Sequence, residues 1–216
     1  MPIDDPNLPH YWHQLTRFGE IQIILPAALL VILLLSRRAQ TRPLAAWWLG
    51  ALAVAVLVTT ASKVAFIGWG LGIPELDFTG ISGHAMIASA VYPLLMATLA
   101  SRWSPTWQII TFAAGMMLAL MVGISRVEIG AHSVSEVVIG LLLGGSVSVI
   151  AIAKASLPRA VVRSFLAIVV GVWLLFLPLH APQLQTHSWV TELSLRLSGN
   201  ITPNTRSDKW QRLPAS

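Results

Sequence analysis

The sequence predicts an all-α polytopic membrane protein, a bundle of six transmembrane helices with both termini on the outer side. Of its 216 residues, 55% are hydrophobic and 11% are charged, whereas a soluble domain carries about 25% charged residues. The mean hydropathy is +0.71, and the few charges divide the chain into long uncharged segments. The absence of cysteine excludes a disulfide scaffold, thiol catalysis and thiolate metal sites.

Six uncharged segments have about the length of a membrane helix, which needs roughly 20 apolar residues. They are residues 21–36, 43–62, 78–101, 103–125, 137–153 and 164–191. The first reaches this length when Phe18 and Gly19 are included. Acidic residues outnumber the single basic residue, Arg17, before it. Because a cleavable signal peptide has a positively charged start, we interpret this segment as a retained span.

The distribution of basic residues predicts the orientation. The loops after the first, third and fifth spans contain no acidic residue. Their basic residues are Arg37, Arg38, Arg42, Arg102, Lys154, Arg159 and Arg163. Lysine and arginine in short loops mark the cytoplasmic side, so both termini and all histidines are predicted to face outward. The net charge of +5 is then a topological signal beside anionic lipid, and we expect no nucleic-acid partner.

The predicted organisation has three parts. Residues 1–20 form an outer N-terminal segment, residues 21–179 form the six-helix domain, and residues 180–216 form an outer tail. In the tail, Trp189, Leu193 and Leu197 recur every four residues, which predicts a helix lying on the membrane surface. Within the fifth span, Gly140-x3-Gly144 is typical of close helix packing, here in the core rather than in a dimer.

Two outer loops place ionisable residues beside span ends, where they are costly unless paired or functional. These residues are Lys63, His84, Arg126, His132 and Glu136. The third and fifth spans both begin on the outer side, and free N–H groups at a helix start attract anions. Ser82 and Gly83 lie at the first of these starts. Arg126 can bind phosphate oxygens with two nitrogens and Lys63 adds a point charge, so the set predicts a phosphate site.

Two histidines in such a site suggest a division of roles. A neutral imidazole can attack phosphorus, and a protonated one can donate a proton to the departing oxygen. Glu136 follows His132 by four residues and shares its helix face if the fifth span begins near Ser133. A carboxylate there can hold one ring nitrogen as N–H and leave the other free to attack.

Together these motifs resemble the signature of the type 2 phosphatidic acid phosphatase superfamily, which is related to vanadium haloperoxidases. The family pattern is Lys-x6-Arg-Pro, then Pro-Ser-Gly-His, then Ser-Arg-x5-His-x3-Asp. The matching residues here are Lys63, Ser82-Gly83-His84 and Ser125-Arg126-x5-His132-x3-Glu136. The resemblance extends over the motif region, roughly residues 63–145.

The resemblance implies a role for each matching residue. His132 is the expected nucleophile, which forms a phosphohistidine, Glu136 orients it, and His84 is the general acid. The residues expected to bind the phosphate are Lys63, Ser82, Gly83 and Arg126. No metal or other cofactor is implied. The expected substrate is a phosphorylated lipid in the bilayer, and the expected location is a bacterial inner membrane with the site facing outward.

Three positions depart from the family pattern. Gly70 and Leu71 replace the arginine and proline that follow the lysine, Ile81 replaces the proline before Ser82, and Glu136 replaces aspartate. Loss of a charged transition-state contact commonly costs about 2–4 kcal/mol. Arg196 in the tail is a candidate substitute for the missing arginine.

Other interpretations remain open. His132 and Glu136 also suit a structural pair or half a metal site, and Lys63 and Arg126 suit interfacial anchors. A haem held by two histidines would leave Arg126 and Glu136 without a role. The functional alternatives are a family member with weakened or lost catalysis that binds phospholipid, and a small transporter. The uncharged spans disfavour the transporter, because translocation paths usually carry charges at mid-membrane depth.

Overall fold

The computed structural model describes residues 10–155, 164–180 and 186–207, and all regular structure in them is helical except one antiparallel bridge between Ile73 and Phe78. The α-helices, in chain order, are α1 (His10–Arg17), α2 (Ile21–Ser36), α3 (Arg42–Trp69), α4 (Gly83–Leu99), α5 (Pro105–Glu128), α6 (Val134–Lys154), α7 (Ser164–His180) and α8 (Thr186–Ser198). Short 3₁₀ turns lie at Pro74–Leu76 and Ala100–Arg102. The all-α prediction is confirmed.

Five segments of the described chain are long and apolar enough to cross a membrane. They are His10–Ser36, which joins α1 and α2, Arg42–Trp69, Gly83–Arg102, Pro105–Glu128 and Val134–Lys154. Of the sixth predicted span, residues 164–191, the structure describes α7 over Ser164–His180 and the start of α8 from Thr186, and residues 181–185 lie outside the described part. A membrane crossing by α7 therefore stays a prediction.

Helix α4 forms the centre of the bundle and packs against α2, α3, α5 and α6. Its sequence contains four alanines, and every residue from Ala85 to Leu95 is buried. Small side chains allow neighbouring helices to approach closely, which is how helices associate where lipid is as apolar as the protein. The small residues of α4 thus allow close helix contact, while larger side chains such as Tyr92, Leu94 and Leu95 fill the core around it.

The predicted packing motif of α6 lies against α4. An ideal Cβ added at Gly144 would stand 2.0 Å from Met86 O and 2.2 Å from Ser89 Oγ, and one at Gly140 would stand 2.8 Å from Ser82 O. Both glycines therefore contact the backbone or first side-chain atoms of α4, as the sequence predicted for a core contact.

Pro93 interrupts the hydrogen bonding of α4, and its neighbours compensate. Proline has no N–H to give to the carbonyl four residues earlier. Ser148 Oγ of α6 donates instead to Ser89 O at 3.1 Å and Ala90 O at 3.2 Å. Trp48 Nε1 of α3 donates to Ala90 O at 3.0 Å. These bonds fix α4 between α3 and α6, and through them the loops at its start.

The described basic loop residues, Arg37, Arg38, Arg42, Arg102 and Lys154, lie at one end of the bundle, whereas Arg159 and Arg163 lie outside the described residues. Lys154, at the end of α6, stands over the ring of Trp47 near the start of α3, 5.7 Å from its centroid. Arg42 Nε donates to Ser36 O at 2.9 Å across the α2–α3 turn. The predicted phosphate-site residues lie at the opposite helix ends.

We expect Gly144→Ala to lower the midpoint of thermal unfolding in detergent, because its Cβ would overlap a backbone oxygen that cannot move aside. Overpacking of this kind costs about 1–3 kcal/mol. Gly50→Ala in α3 is the matched control, since nothing lies within 4 Å of its added Cβ. Equal midpoints for the two variants would contradict the close α4–α6 contact.

Candidate functional site

Four helix ends and one loop converge at the candidate site. The end of α3 contributes Lys63, the start of α4 contributes His84, the turn after α5 contributes His132, and the start of α6 contributes Glu136. The loop between α3 and α4, residues 70–82, closes the site from the side. The structure thus brings together the residues that the sequence singled out on separate spans.

A tight turn positions His132. Helix α5 ends at Glu128, and Gly130 adopts a left-handed conformation with φ 67°, which glycine accepts without strain. The N–H of His132 then donates to the carbonyl of Arg126 at 3.1 Å. This bond fixes His132 next to the helix turn that carries Arg126.

The first turn of α6 orients the His132 ring. Ser133 and Glu136 form a capping box, in which Ser133 Oγ accepts from Glu136 N and Glu136 Oε2 accepts from Ser133 N at 3.2 Å. The same Oε2 stands 2.6 Å from His132 Nδ1. Since a carboxylate only accepts, Nδ1 carries the proton, and Nε2 has a free lone pair when the ring is neutral.

The other carboxylate oxygen of Glu136 has partners that sequence reasoning missed. Oε1 accepts from Thr79 N and Thr79 Oγ1, both at 2.6 Å, and from Arg206 Nη2 at 2.9 Å. The Glu136 side chain is fully buried. Its backbone carbonyl accepts from Ser82 N at 3.1 Å, which ties the start of α6 to the start of α4.

The predicted phosphate ligands lie around the start of α4. An ideal Cβ on Gly83 would stand 3.6 Å from Lys63 Nζ, so the ammonium group and the first N–H groups of α4 share one space. Ser82 is fully buried, and its Oγ has no hydrogen-bond partner among the described residues. A buried hydroxyl normally has a partner, and a phosphate oxygen would supply one.

Arg126 faces the site from α5 and is held by the N-terminal segment. Its Nη1 donates to Thr16 Oγ1 at 2.9 Å, whereas its buried Nε has no partner in the described part of the chain. Glu20 lies within electrostatic range of Arg126. The guanidinium is thus fixed and keeps one unsatisfied donor for an anion.

The turn between α1 and α2 lies directly against His84. An ideal Cβ on Gly19 would stand 2.8 Å from both Cβ and Cδ2 of His84 and 2.7 Å from Val122 Cγ1. Phe18 O accepts a hydrogen bond from Tyr92 of α4 at 2.6 Å. Gly19 therefore has a positional role that the sequence did not reveal.

Positive charge dominates the site. Lys63, Arg126 and the two histidines all lie within one another's electrostatic range. Burial lowers the pKa of His132, and Lys63 and Arg126 lower it further, against the opposing effect of its hydrogen bond to Glu136. His132 is therefore neutral near pH 7, with Nε2 able to attack.

Two predicted features are placed elsewhere. Arg196 pairs with Glu192 on the exposed side of α8, so the expectation that it replaces the missing arginine is wrong. Gly70 ends α3 in a left-handed conformation with φ 67°, and its N–H donates to Phe66 O. The position at which the family pattern has an arginine is therefore occupied here by the glycine that ends α3. No group of three metal-ligating side chains occurs within residues 10–155, 164–180 and 186–207.

Comparison with known families gives one clear match. The PAP2 superfamily matches residues 68–157, and this confirms the resemblance to the type 2 phosphatidic acid phosphatase superfamily. Lys63, one of the predicted phosphate ligands, lies before the matched segment. Arg206, which binds Glu136, lies after it.

Two curated proteins are similar to parts of the chain. An uncharacterised 22.5 kDa protein in the cps region of Klebsiella pneumoniae is 41% identical over 135 residues, 62% of this chain and 65% of that protein. Phosphatidylglycerophosphatase B of Bacillus subtilis (strain 168) is 37% identical over 75 residues, 33% of this chain and 36% of that protein. The chain therefore spans less than two thirds of these relatives. No solved structure matches it significantly.

We expect Ser133→Ala to lower the free energy of unfolding by about 1 kcal/mol, because it removes the N-cap of α6. Ser146→Ala is the matched control, since this exposed serine on the same helix bonds only to Leu143 O. Thermal unfolding of both variants in one detergent checks the prediction. A Ser146→Ala variant as unstable as Ser133→Ala would show that the capping box contributes nothing.

Proposed function

Since residues 68–157 match the PAP2 superfamily, we propose that the protein is a membrane lipid phosphatase. It hydrolyses a phosphate monoester or diphosphate of a lipid through a phosphohistidine, without a metal. The observation that carries this proposal is the His132–Glu136 pair, whose 2.6 Å hydrogen bond from Nδ1 directs the other ring nitrogen toward a cationic, buried space.

The proposed reaction has two steps. In the first, the lone pair of His132 Nε2 attacks phosphorus, the bond from phosphorus to the leaving oxygen breaks, and His84 gives its proton to that oxygen. In the second, water attacks the phosphohistidine, His84 takes up a proton from it, and the N–P bond breaks. Glu136 stabilises the His132 ring as it becomes positively charged.

The remaining residues are proposed to stabilise the five-coordinate phosphorus. Lys63 and Arg126 supply charge, and Ser82 Oγ and the N–H of Gly83 supply hydrogen bonds. The unsatisfied Ser82 Oγ and Arg126 Nε support this assignment. Because position 70 has no cation, one charged contact of the family pattern is lost, and we expect turnover to be slower by roughly 10²–10³ than with it.

An apolar groove beside the site supports a lipid substrate. It has a volume of about 450 Å³ and runs between the start of α2 and α8. The residues that line it are Ile21, Gln22, Leu25, Pro26, Trp189, Val190 and Leu193. Ile21 is two residues from Gly19, which contacts His84. A lipid tail in this groove would bring its phosphate to the site.

We further propose the setting of the enzyme. Residues 21–179 cross the inner membrane of a bacterium six times, with α7 as the last span, and the segments 1–20 and 180–216 lie outside with the site. Candidate substrates are phosphatidylglycerophosphate, phosphatidic acid, a polyprenyl diphosphate and lipid A phosphate. The name of the Bacillus relative places phosphatidylglycerophosphate first among those to be tested.

The decisive experiment measures phosphate release by the purified protein from these four lipids. We expect release by the wild type and a loss of at least about 10³-fold in His132→Ala, because the nucleophile is removed. His10→Ala, at the exposed start of α1, is the control for histidine loss outside the site. No release from any lipid, or equal release by His132→Ala, would refute the enzyme.

The pH profile of activity should be bell-shaped, with its acid limb seen in kcat/KM and its alkaline limb in kcat. His132 must be neutral to attack, and its lowered pKa places the acid limb below 6.5, its ordinary value. Activity in kcat/KM is therefore retained as pH falls to 6.5 and lost below it. In the substrate complex the phosphate dianion favours the protonated form of His84, and loss of that proton produces the alkaline limb of kcat. His84→Ala should keep the acid limb and lose the alkaline one. A rate that is flat from about pH 5 to 9 would contradict the two-histidine mechanism.

A further inference from the structure

We propose that Arg206, in the tail beyond the family segment, is a positioning residue for the nucleophile. It binds the carboxylate that orients His132 and so sets how strongly this carboxylate attracts the imidazole proton. The inference rests on the proposed phosphatase function for its role in catalysis. The contact itself is independent of that function.

Arg206 bridges the loop before α4 and the start of α6. Its Nη2 donates to Glu136 Oε1 at 2.9 Å and to Thr79 Oγ1 at 3.4 Å, and its Nη1 donates to Asp77 Oδ2 at 3.0 Å. Glu136 is fully buried, whereas Arg206 is one-third exposed. The guanidinium thus covers the outer side of the carboxylate whose inner side holds His132.

The tail that carries Arg206 is anchored on the end of α3. The last carbonyls of a helix lack partners within it, and two asparagines of the tail supply them. Asn200 Nδ2 donates to Gly68 O at 2.5 Å, and Asn204 donates to Ile67 O through both N and Nδ2 at 3.0 Å. Gly68 also lets α8 approach, since its ideal Cβ would stand 3.2 Å from Ser194 O. Arg206 therefore reaches Glu136 from a fixed support two residues away.

The charges around His132 give this contact a measurable effect. Lys63 from α3, His84 from α4 and Arg126 from α5 disfavour a proton on His132, and Glu136 from α6 favours it. Arg206 offsets part of the Glu136 charge, while Asp77 offsets part of Arg206. If Arg206 is removed, Glu136 attracts the imidazolium more strongly and the pKa of His132 rises. At a given acidic pH, a smaller fraction of His132 is then neutral and able to attack.

The test compares Arg206→Gln with Arg196→Gln, the matched change at an arginine on the exposed side of the same tail. The His132 ring is followed by NMR titration in full-length protein in detergent, and kcat/KM is measured against pH on the best lipid substrate. We expect Arg206→Gln to raise the His132 midpoint and the acid limb together by on the order of 0.5–1 pH unit. kcat/KM should fall about tenfold, as for loss of one hydrogen bond to a charged group. Arg206→Lys, which keeps the charge, should bring the His132 midpoint most of the way back to the wild-type value. Arg196→Gln should have the same midpoint as the wild type.

The outcomes separate this inference from the function on which it rests. An unchanged His132 midpoint in Arg206→Gln overturns the role of Arg206, whatever happens to the rate. A raised midpoint in a protein whose wild type releases no phosphate supports the coupling of Arg206 to His132 and overturns the phosphatase. A raised midpoint that Arg196→Gln reproduces shows a general charge effect and also overturns the specific role.

Discussion

The site depends on one buried carboxylate. An ionised Glu136 without partners would cost several kcal/mol at full burial, so its position is acceptable only where enough donors meet. They come from His132, Ser133 and Thr79, and from Arg206 in the tail. These donors belong to the start of α6, the loop before α4 and the C-terminal tail. Satisfying one charge thus brings three separate parts of the chain to the same place.

The bundle supplies the rigidity that such a charge requires. In lipid, helices gain little from burying apolar side chains, and close contact of small residues replaces that force. Gly140 and Gly144 allow α6 to lie on α4, and Ser148 satisfies the carbonyl that Pro93 leaves free. The contact of Gly140 with Ser82 O lies beside the hydrogen bond from Ser82 N to Glu136 O. Packing and polar contacts therefore fix the same helix ends.

The sequence predicted what is local and missed what is distant. The five candidate spans of the described residues follow from uncharged length, and the His132–Glu136 pair follows from a spacing of four residues. Charge counting could not place the boundary between α7 and α8, because residues 164–191 contain no charge to mark it. Thr79 and Arg206 meet Glu136 across 57 and 70 residues. A single arginine in a polar tail shows no periodicity or motif that indicates such a contact.

The departure of Gly70 from the pattern of the PAP2 superfamily has a physical reason. A left-handed helix end suits glycine far better than arginine, and the turn it begins leads to Asp77 and Thr79, which meet Arg206. An arginine is thus present near the site, but it faces the carboxylate rather than the proposed phosphate ligands Lys63 and Arg126. In the proposed mechanism, Arg206 adjusts the nucleophile His132 and does not contact the phosphate oxygens. The two proposed functions of a cation, binding the transition state and tuning the nucleophile, therefore belong to different residues.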